Sequence, residues 1–199
     1  NSAMFTQAIA IKAASTLNTN NLNVDLTGTF SLVAGTVNAG SSTIDVGTDL
    51  NIGDGVGTPA TAIFNAGSSG VRIKNSIMRN ATDGSFSAGT GTVTFIGNGD
   101  VAANNYTITM NGNAFNHLTI NEAGNLDAWL LQDSTTSVNG NLSVMSGQLN
   151  LNGPNRDLDL YGNLSESGGS INGATLPTWI NFKGSGAGPY NISKSCAGC

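Results

Sequence analysis

The feature that most constrains the fold is a short phrase that recurs along the chain. Val37-Asn38-Ala39-Gly40 is followed by Phe64-Asn65-Ala66-Gly67 and by Phe86-Ser87-Ala88-Gly89, and each unit runs on into an alternating apolar stretch. The starts of these units are 27 and 22 residues apart. A looser pair of units, which begin at Val138 and Leu160, is again 22 residues apart. Repeats of this length are typical of solenoids, in which each unit stacks on the one before it.

Between the repeated turns, apolar and polar residues alternate over short stretches. Examples are Leu22 to Leu26, Tyr106 to Met110 and Leu158 to Leu160. A period of two residues with Asn or Gly punctuation predicts short strands with one buried face. Asn-Gly pairs at five places supply residues that tolerate positive φ at turns. No window of 12 residues shows a convincing helical period.

Two all-β architectures fit strands of three to five residues. A β-sandwich would join seven to nine strands by hairpins. A parallel β-helix, or β-solenoid, would stack about seven or eight coils of roughly 20–27 residues each. We favour the solenoid, because a sandwich gives no reason for one turn-and-strand phrase to recur at these intervals. The solenoid predicts that apolar positions stack inward and that Asn, Ser and Thr form ladders at the bends.

The composition excludes several classes of protein. The formal net charge is −5 and the isoelectric point is near 4.4, whereas a nucleic-acid-binding domain needs a basic face. Charged residues make up 10% of the chain, and the residues that favour coiled coils are not abundant together. No apolar run reaches about 18 residues, so we expect no membrane-spanning helix.

We divide the chain into three parts. Residues 1–20 form an N-terminal arm or cap, residues 21–190 form the solenoid, and residues 191–199 form a tail. The apolar side chains of the arm are candidates for assembly, either on the edge of their own coil stack or on a second subunit. These side chains are Phe5, Ile9, Ile11 and Leu17.

The two cysteines, Cys196 and Cys199, stand in the tail as Cys-Ala-Gly-Cys. We expect a short-range disulfide or a bridge to a neighbouring subunit. A redox site is disfavoured, because nothing nearby resembles a βαβ unit. The spacing also begins the attachment motif of c-type haem, which would be complete if a His followed Cys199.

No other pattern predicts a resident metal or a catalytic centre. Asp49 to Gly55 combines oxygen ligands and glycines suited to Ca²⁺, but it matches neither an EF-hand nor a calcium-binding nonapeptide repeat, so we expect a turn. Carboxylates could pair across coils for glycoside hydrolysis. Candidates are Asp45, Asp49 and Asp54, or Asp157 and Asp159. Twelve scattered acidic residues more often mark solvated strand edges. We therefore expect no enzyme and no bound cofactor.

Two apolar clusters contain the tryptophans. Trp129 and Leu131 lie where the repeat is broken, and Trp179 and Phe182 lie near the C-terminus. Such residues cap the ends of a solenoid or cover an insertion, and aromatic residues are also enriched at intersubunit contacts. We treat these four residues as interface candidates.

The repeat also resembles a pattern found in large secreted bacterial surface proteins. The matching stretches are Gly91 to Gly97, Phe115 to Asn121 and Asn139 to Gly153, and the likeness covers roughly residues 37–186. The pattern is similar to the β-helices of adhesins, autotransporter passengers and filamentous-haemagglutinin-type exoproteins. The resemblance implies a right-handed parallel β-helix, because the residues that carry it are turn and core residues.

From these observations we expect an extracellular structural or adhesive module of the bacterial cell surface. One form of it is a self-assembling filament subunit that pairs strand edges with another copy. Glycans are the other expected partners, and nucleic acid is not expected. The alternatives are a polysaccharide-binding or polysaccharide-cleaving β-helix, and a scaffold that precedes a haem module.

Overall fold

The computed structural model describes residues 2–5, 7–12, 15–56, 61–124, 126–151, 153, 156–173, 178–184 and 192–194. Within these ranges the chain forms 25 β-strands and no helix. The first twelve strands are β1 (Ser2–Phe5), β2 (Ile9–Ile11), β3 (Thr16–Asn18), β4 (Asn23–Leu26), β5 (Phe30–Leu32), β6 (Gly35–Asn38), β7 (Thr43–Val46), β8 (Leu50–Ile52), β9 (Ala62–Asn65), β10 (Gly70–Ile73), β11 (Ile77–Arg79) and β12 (Gly84–Ser87). The remaining strands are β13 (Thr92–Phe95), β14 (Asn105–Thr109), β15 (Ala114–Phe115), β16 (His117–Asn121), β17 (Ala128–Leu131), β18 (Thr135–Val138), β19 (Leu142–Ser146), β20 (Gln148–Leu151), β21 (Asp157–Leu160), β22 (Leu164–Glu166), β23 (Ser170–Gly173), β24 (Ile180–Phe182) and β25 (Ile192–Lys194).

Every third strand joins the same sheet. Sheet 1 has nine strands in the order β1-β4-β7-β10-β13-β16-β19-β22-β25, and sheet 2 has eight in the order β2-β5-β8-β11-β14-β17-β20-β23. The third strand of each coil belongs to sheet 3 (β3, β6, β9, β12) or sheet 4 (β15, β18, β21, β24). Neighbouring strands pair in parallel, so each coil of three strands lies on the previous coil. The fold is a parallel β-solenoid, which confirms the predicted class and excludes the sandwich.

The strand register reproduces the sequence repeat. Val37 pairs with Phe64, Phe64 pairs with Phe86, and Val138 pairs with Leu160, as the repeated phrases predict. Coil length varies, because equivalent residues are 20 positions apart between β4 and β7 and 28 apart between β22 and β25. The extra residues of the longer coils lie in the connections, so the strands keep their pairing while the loops differ.

The core is a continuous column of inward side chains. Aliphatic and aromatic residues alternate with outward polar ones along most strands, and the inward positions of the middle coils are fully buried. One row of rings runs through the core, in which Phe30 lies on β5 of sheet 2 and the other rings lie on the third strands. The ring centroids are 6.0 Å apart for Phe30 and Phe64, 5.8 Å for Phe64 and Phe86, and 6.2 Å for Phe86 and Phe115. Rings at these distances add to the stability that burial of their area supplies.

Polar ladders form at the bends, as predicted. The Nδ2 of Asn65 donates to Oδ1 of Asn38 at 2.9 Å, and the Nδ2 of Asn38 donates to Oδ1 of Asn18 at 2.7 Å. Beside them, the hydroxyls of Thr19 and Ser42 are 2.6 Å apart in a buried contact. These side chains connect successive coils and satisfy polar groups that the turn would otherwise leave unpaired.

The third strands are interrupted between β12 and β15, where sheet 3 ends and sheet 4 begins. The Oδ1 of Asn113 accepts the backbone N–H of Phe86 at 2.6 Å at this point. A side chain thus replaces one backbone acceptor of the ladder, while the Phe86 and Phe115 rings remain in contact. The core is therefore continuous across the break.

The first coil lies within residues 1–20. Its strands β1, β2 and β3 pair with β4, β5 and β6 in the same parallel manner as later coils. The segment that we predicted to be an arm or cap therefore has the backbone pairing of a solenoid coil.

Candidate functional site

The N-terminal end of the solenoid leaves core positions partly exposed. Ile9 and Ile11 of β2 are only partly buried, whereas Phe30 and Leu32, their partners in the next coil, are 1% and 0% exposed. Leu17 of β3 is likewise half-buried. These side chains occupy inward positions, but no described strand lies on their outer side. The end coil therefore presents unpaired strand edges and apolar side chains together.

These residues line a cavity of about 390 Å³, which we call the N-terminal end pocket. Its apolar lining continues onto Leu22, which is 46% exposed. The full lining is Ile9, Ile11, Ser15, Thr16, Leu17, Asn18, Thr19, Leu22 and Val24. Three of the four residues predicted for assembly thus meet in one place. The fourth, Phe5, lies in β1 and pairs with Leu26.

The C-terminal end repeats this pattern in two of the sheets. Ile171 of β23 and both Ile180 and Phe182 of β24 are partly buried against the core. Trp179, just before β24, is 62% exposed. Sheet 1 differs, because it continues one strand beyond β22 and ends on β25.

A second feature lies on the outward face of sheet 1. The register places Asp25, Asp45 and Arg72 on successive strands at the same outward position. The Nη1 of Arg72 and Oδ2 of Asp45 are 3.2 Å apart, and both side chains are partly exposed. Exposed pairs of this kind contribute little to stability, at most about 1 kcal/mol. The pair is therefore informative mainly about what this surface can bind.

These residues border a cavity of about 180 Å³, which we call the sheet 1 notch. Lys74, Thr27 and Gly47 complete its polar side, and Leu26, Val46 and Ile96 also line it. Burial raises the pKa of Asp45 above the ordinary value of 3.8; Arg72 acts in the opposite direction and Asp25 adds to the rise. The Oδ1 atom of Asp45 is buried and has no hydrogen-bond partner within the described part of the chain.

Buried carboxylates hold the loops at one bend of the middle coils. Glu122 and Asp127 are each 1% exposed. Glu122 accepts the amides of Gly124 and Leu126, and Asp127 accepts the backbone N–H of Asn104 at 3.0 Å. Burial, reinforced by Asp127 and other nearby carboxylates, raises the pKa of Tyr106 to about 12. This arrangement fixes loop geometry through amide-to-carboxylate hydrogen bonds.

The calcium candidate between Asp49 and Gly55 has the geometry of turns. Asp49 accepts the amide of Ser76 at 3.0 Å, and Asp54 accepts the amide of Val56 at 2.9 Å. Asp83, from the next coil, accepts the amides of Asp54 and Gly55. Burial alone would raise the pKa of Asp83, but these hydrogen bonds outweigh it and lower the pKa. Among the residues that the structure describes, no three His, Cys, Asp or Glu side chains form a group suited to a metal ion.

The other two carboxylates that we considered, Asp157 and Asp159, lie on β21 and bind residues in or next to β24. Asp157 accepts the amide of Trp179 at 3.0 Å. Asp159 accepts from Asn181 at 3.0 Å and forms an ion pair with Lys183 at 3.1 Å. Of the carboxylates that we considered for glycoside hydrolysis, Asp45 alone lies in the sheet 1 notch.

The first aromatic cluster belongs to the core, which corrects the interface that we predicted for it. Trp129 and Leu131 are both 0% exposed. The Trp129 ring lies 5.6 Å from the rings of Phe95 and Tyr106, and its Nε1 donates to the carbonyl of Asn75 at 2.7 Å. The physical reason is that β17 keeps its place in sheet 2 although the surrounding repeat is irregular, so both side chains point inward.

The remaining sequence candidates differ in exposure. Trp179 is exposed, and Phe182 is partly buried at the C-terminal end. Cys196 and Cys199 lie outside the described residues. Neither Arg72 nor Lys74 was among the site residues predicted from the sequence. Arg72 could have been linked to Asp25 and Asp45 by the outward position that the three residues share. That shared position can be recognised only once the coils are aligned.

Comparison with protein-family models, curated proteins and solved structures finds no match to this chain. Within the described ranges, the structure contains no helix long and apolar enough to cross a membrane.

Proposed function

We propose that this chain is a structural module of an extracellular bacterial surface, and that copies of it join end to end as subunits of a filament. The observation that carries the proposal is the N-terminal end pocket, where core side chains meet unpaired strand edges. The resemblance of the repeat to secreted surface proteins supports the extracellular setting, and the sparse charge suits a protein that packs against copies of itself.

The favoured occupant of the end pocket is the C-terminal end of a second copy. The pocket lacks a coil that supplies parallel strand edges and inward apolar side chains. The last strands of sheets 2 and 4 have both, since β23 and β24 carry Ile171, Ile180 and Phe182 at the opposite end of the stack. Every coil in the chain runs in the same direction, so a head-to-tail contact continues the parallel pairing. Such a heterologous contact does not close on itself and generates a filament.

The three faces are not equivalent in this joint. Sheet 1 ends on β25, one strand beyond β22, whereas sheets 2 and 4 end on strands that carry the apolar side chains Ile171, Ile180 and Phe182. We therefore expect the contact to rest mainly on sheet 2 and on the third strands. The exposed Trp179, next to β24, is suited to cover its rim.

Sedimentation velocity of the purified chain with two matched variants tests this proposal. Leu22→Lys places a charge in the end pocket, and Met78→Lys places the same charge on a strand in the middle of the stack. The two side chains are 46% and 44% exposed, so neither substitution disturbs the buried core. We expect the wild type and Met78→Lys to form concentration-dependent oligomers of the 20.1 kDa chain, and Leu22→Lys to shift at least about tenfold towards monomer.

A wild-type chain that stays monomeric at high concentration contradicts the proposal. If Leu22→Lys and Met78→Lys associate equally, the contact does not involve the end pocket, and this result also contradicts the proposal. Circular dichroism of each variant shows that the strands are retained.

A further inference from the structure

The sheet 1 notch concentrates charge in a chain that has little of it. The whole sequence contains seven Lys or Arg and twelve Asp or Glu residues. Two of the former and two of the latter, Arg72, Lys74, Asp25 and Asp45, line a single cavity on the outward face of three neighbouring coils. Like charges on adjacent strands, as in Asp25 and Asp45, destabilise a sheet. Residues that break a local rule in this way are most often found at functional sites.

The hydrogen-bonding capacity of the notch is incomplete within the chain. The Oδ2 of Asp45 accepts from Arg72 at 3.2 Å, but its buried Oδ1 has no partner among the residues that the structure describes. Unpaired buried acceptors are rare, and each calls for a donor. The Asp45 side chain as a whole is 31% exposed, so a ligand hydroxyl in the notch can reach this carboxylate through its exposed part. The remaining N–H groups of Arg72 and the ammonium group of Lys74 supply donors for other oxygen atoms of the same ligand.

The balance of charge selects the class of ligand. Two carboxylates and two cations give the notch a formal charge close to zero. A metal ion would be repelled by Arg72 and Lys74, and a phosphate or sulfate would be repelled by Asp25 and Asp45. A neutral molecule with several hydroxyl groups uses both kinds of side chain, because each hydroxyl both donates and accepts.

The size of the notch limits how much of a ligand enters. Its volume is about 180 Å³, whereas cavities for drug-sized molecules run from about 300 to 1,000 Å³. This space suits one six-membered ring. Ile96, which is only partly buried, offers apolar surface for the C–H groups of such a ring.

We infer that the sheet 1 notch is a carbohydrate-binding site that takes one neutral sugar ring of a glycan. Asp45 and Asp25 accept hydrogen bonds from ring hydroxyls, while Arg72 and Lys74 donate to hydroxyl oxygens. This inference does not depend on end-to-end association, since the notch lies on the side of the rod and the joint lies at its ends.

Saturation-transfer NMR with a panel of methyl glycosides tests the inference. The neutral probes are the methyl glycosides of glucose, galactose, mannose and N-acetylglucosamine, and the charged probes are glucuronic acid and glucosamine. We expect at least one neutral probe to bind at millimolar concentration and the charged probes to bind more weakly. Asp45→Asn should weaken binding of the neutral probe about tenfold, because it removes a charged acceptor.

Asp159→Asn is the matched control, since it also removes a carboxylate paired with a cation, namely Lys183 at 3.1 Å, but on a different face. Its binding should equal that of the wild type. The inference is overturned if no neutral probe binds the wild type, if only a charged probe binds, or if binding needs added Ca²⁺. It is also overturned if both variants bind alike, whether both retain binding or both lose it.

Discussion

At the scale of single residues, the stacked turns depend on positions that only a few residue types can occupy. Gly40, Gly67 and Gly89 have φ of 61°, 63° and 58°, the left-handed region that glycine adopts without strain. They follow one another in successive coils, and each is preceded by alanine. In the first coil, Asn20 and Asn21 have positive φ instead. The repeated Ala-Gly pair in the sequence is therefore a requirement of the turn.

Gly67→Ala should destabilise the solenoid clearly. A Cβ at this position would lie 2.4 Å from the carbonyl oxygen of Gly40 in the previous coil, in addition to the strain of a positive φ. We expect the free energy of unfolding to fall by at least about 2 kcal/mol, measured by urea denaturation followed by circular dichroism.

Gly70→Ala, three residues further on, is the control for this substitution. Its added Cβ meets no atom of the described residues within 4 Å, and its φ is not positive. Its stability should stay within about 0.5 kcal/mol of wild type or rise slightly, because alanine orders more readily than glycine in a strand. If the two variants have equal stabilities, the account of the turn is wrong.

At the scale of elements, the sequence predicts the strands well and the connections poorly. The phrases that begin at Val37, Phe64 and Phe86 pair with one another because repeated inward residues must stack on repeated inward residues. Residues in the connections between strands do not have to stack in this way. We therefore predicted Trp129 to lie at an interface, because the irregular repeat around it gave no sign that β17 pairs regularly with β14 and β20. The notch residues escaped prediction for a related reason, because variable coil length separates Asp45 from Arg72 by 27 residues and from Asp25 by only 20.

The interruption between sheets 3 and 4 gives a test at this scale. Asn113→Ala removes the acceptor of the Phe86 amide, which leaves that donor without its partner in the middle of the stack. We expect a loss of about 1–2 kcal/mol in the free energy of unfolding. Asn172→Ala also removes an amide that bridges two coils, through Gln148, but at an exposed position, and it should change stability by less than about 0.5 kcal/mol. A larger loss for Asn172→Ala than for Asn113→Ala would show that the Asn113 hydrogen bond does not stabilise the chain where sheet 3 gives way to sheet 4.

At the scale of the whole molecule, the solenoid has ends and sides with different chemistry. The sides carry polar residues and the sheet 1 notch, whereas the N-terminal end exposes apolar residues that every inner coil buries. Ile9, Ile11 and Leu17 could be singled out from sequence because they are apolar and precede the clearest repeat. Their arrangement as one open pocket could not be predicted from the sequence, because it depends on how the three strands of the first coil are positioned relative to one another.

The most direct test of the central claim is electron microscopy of the native protein at increasing concentration. The proposal predicts fibres in which rods meet at their tips, with an axial spacing near 4.8 Å continuing from one subunit into the next. Short separate rods at every concentration, or rods that associate only side by side, would contradict it.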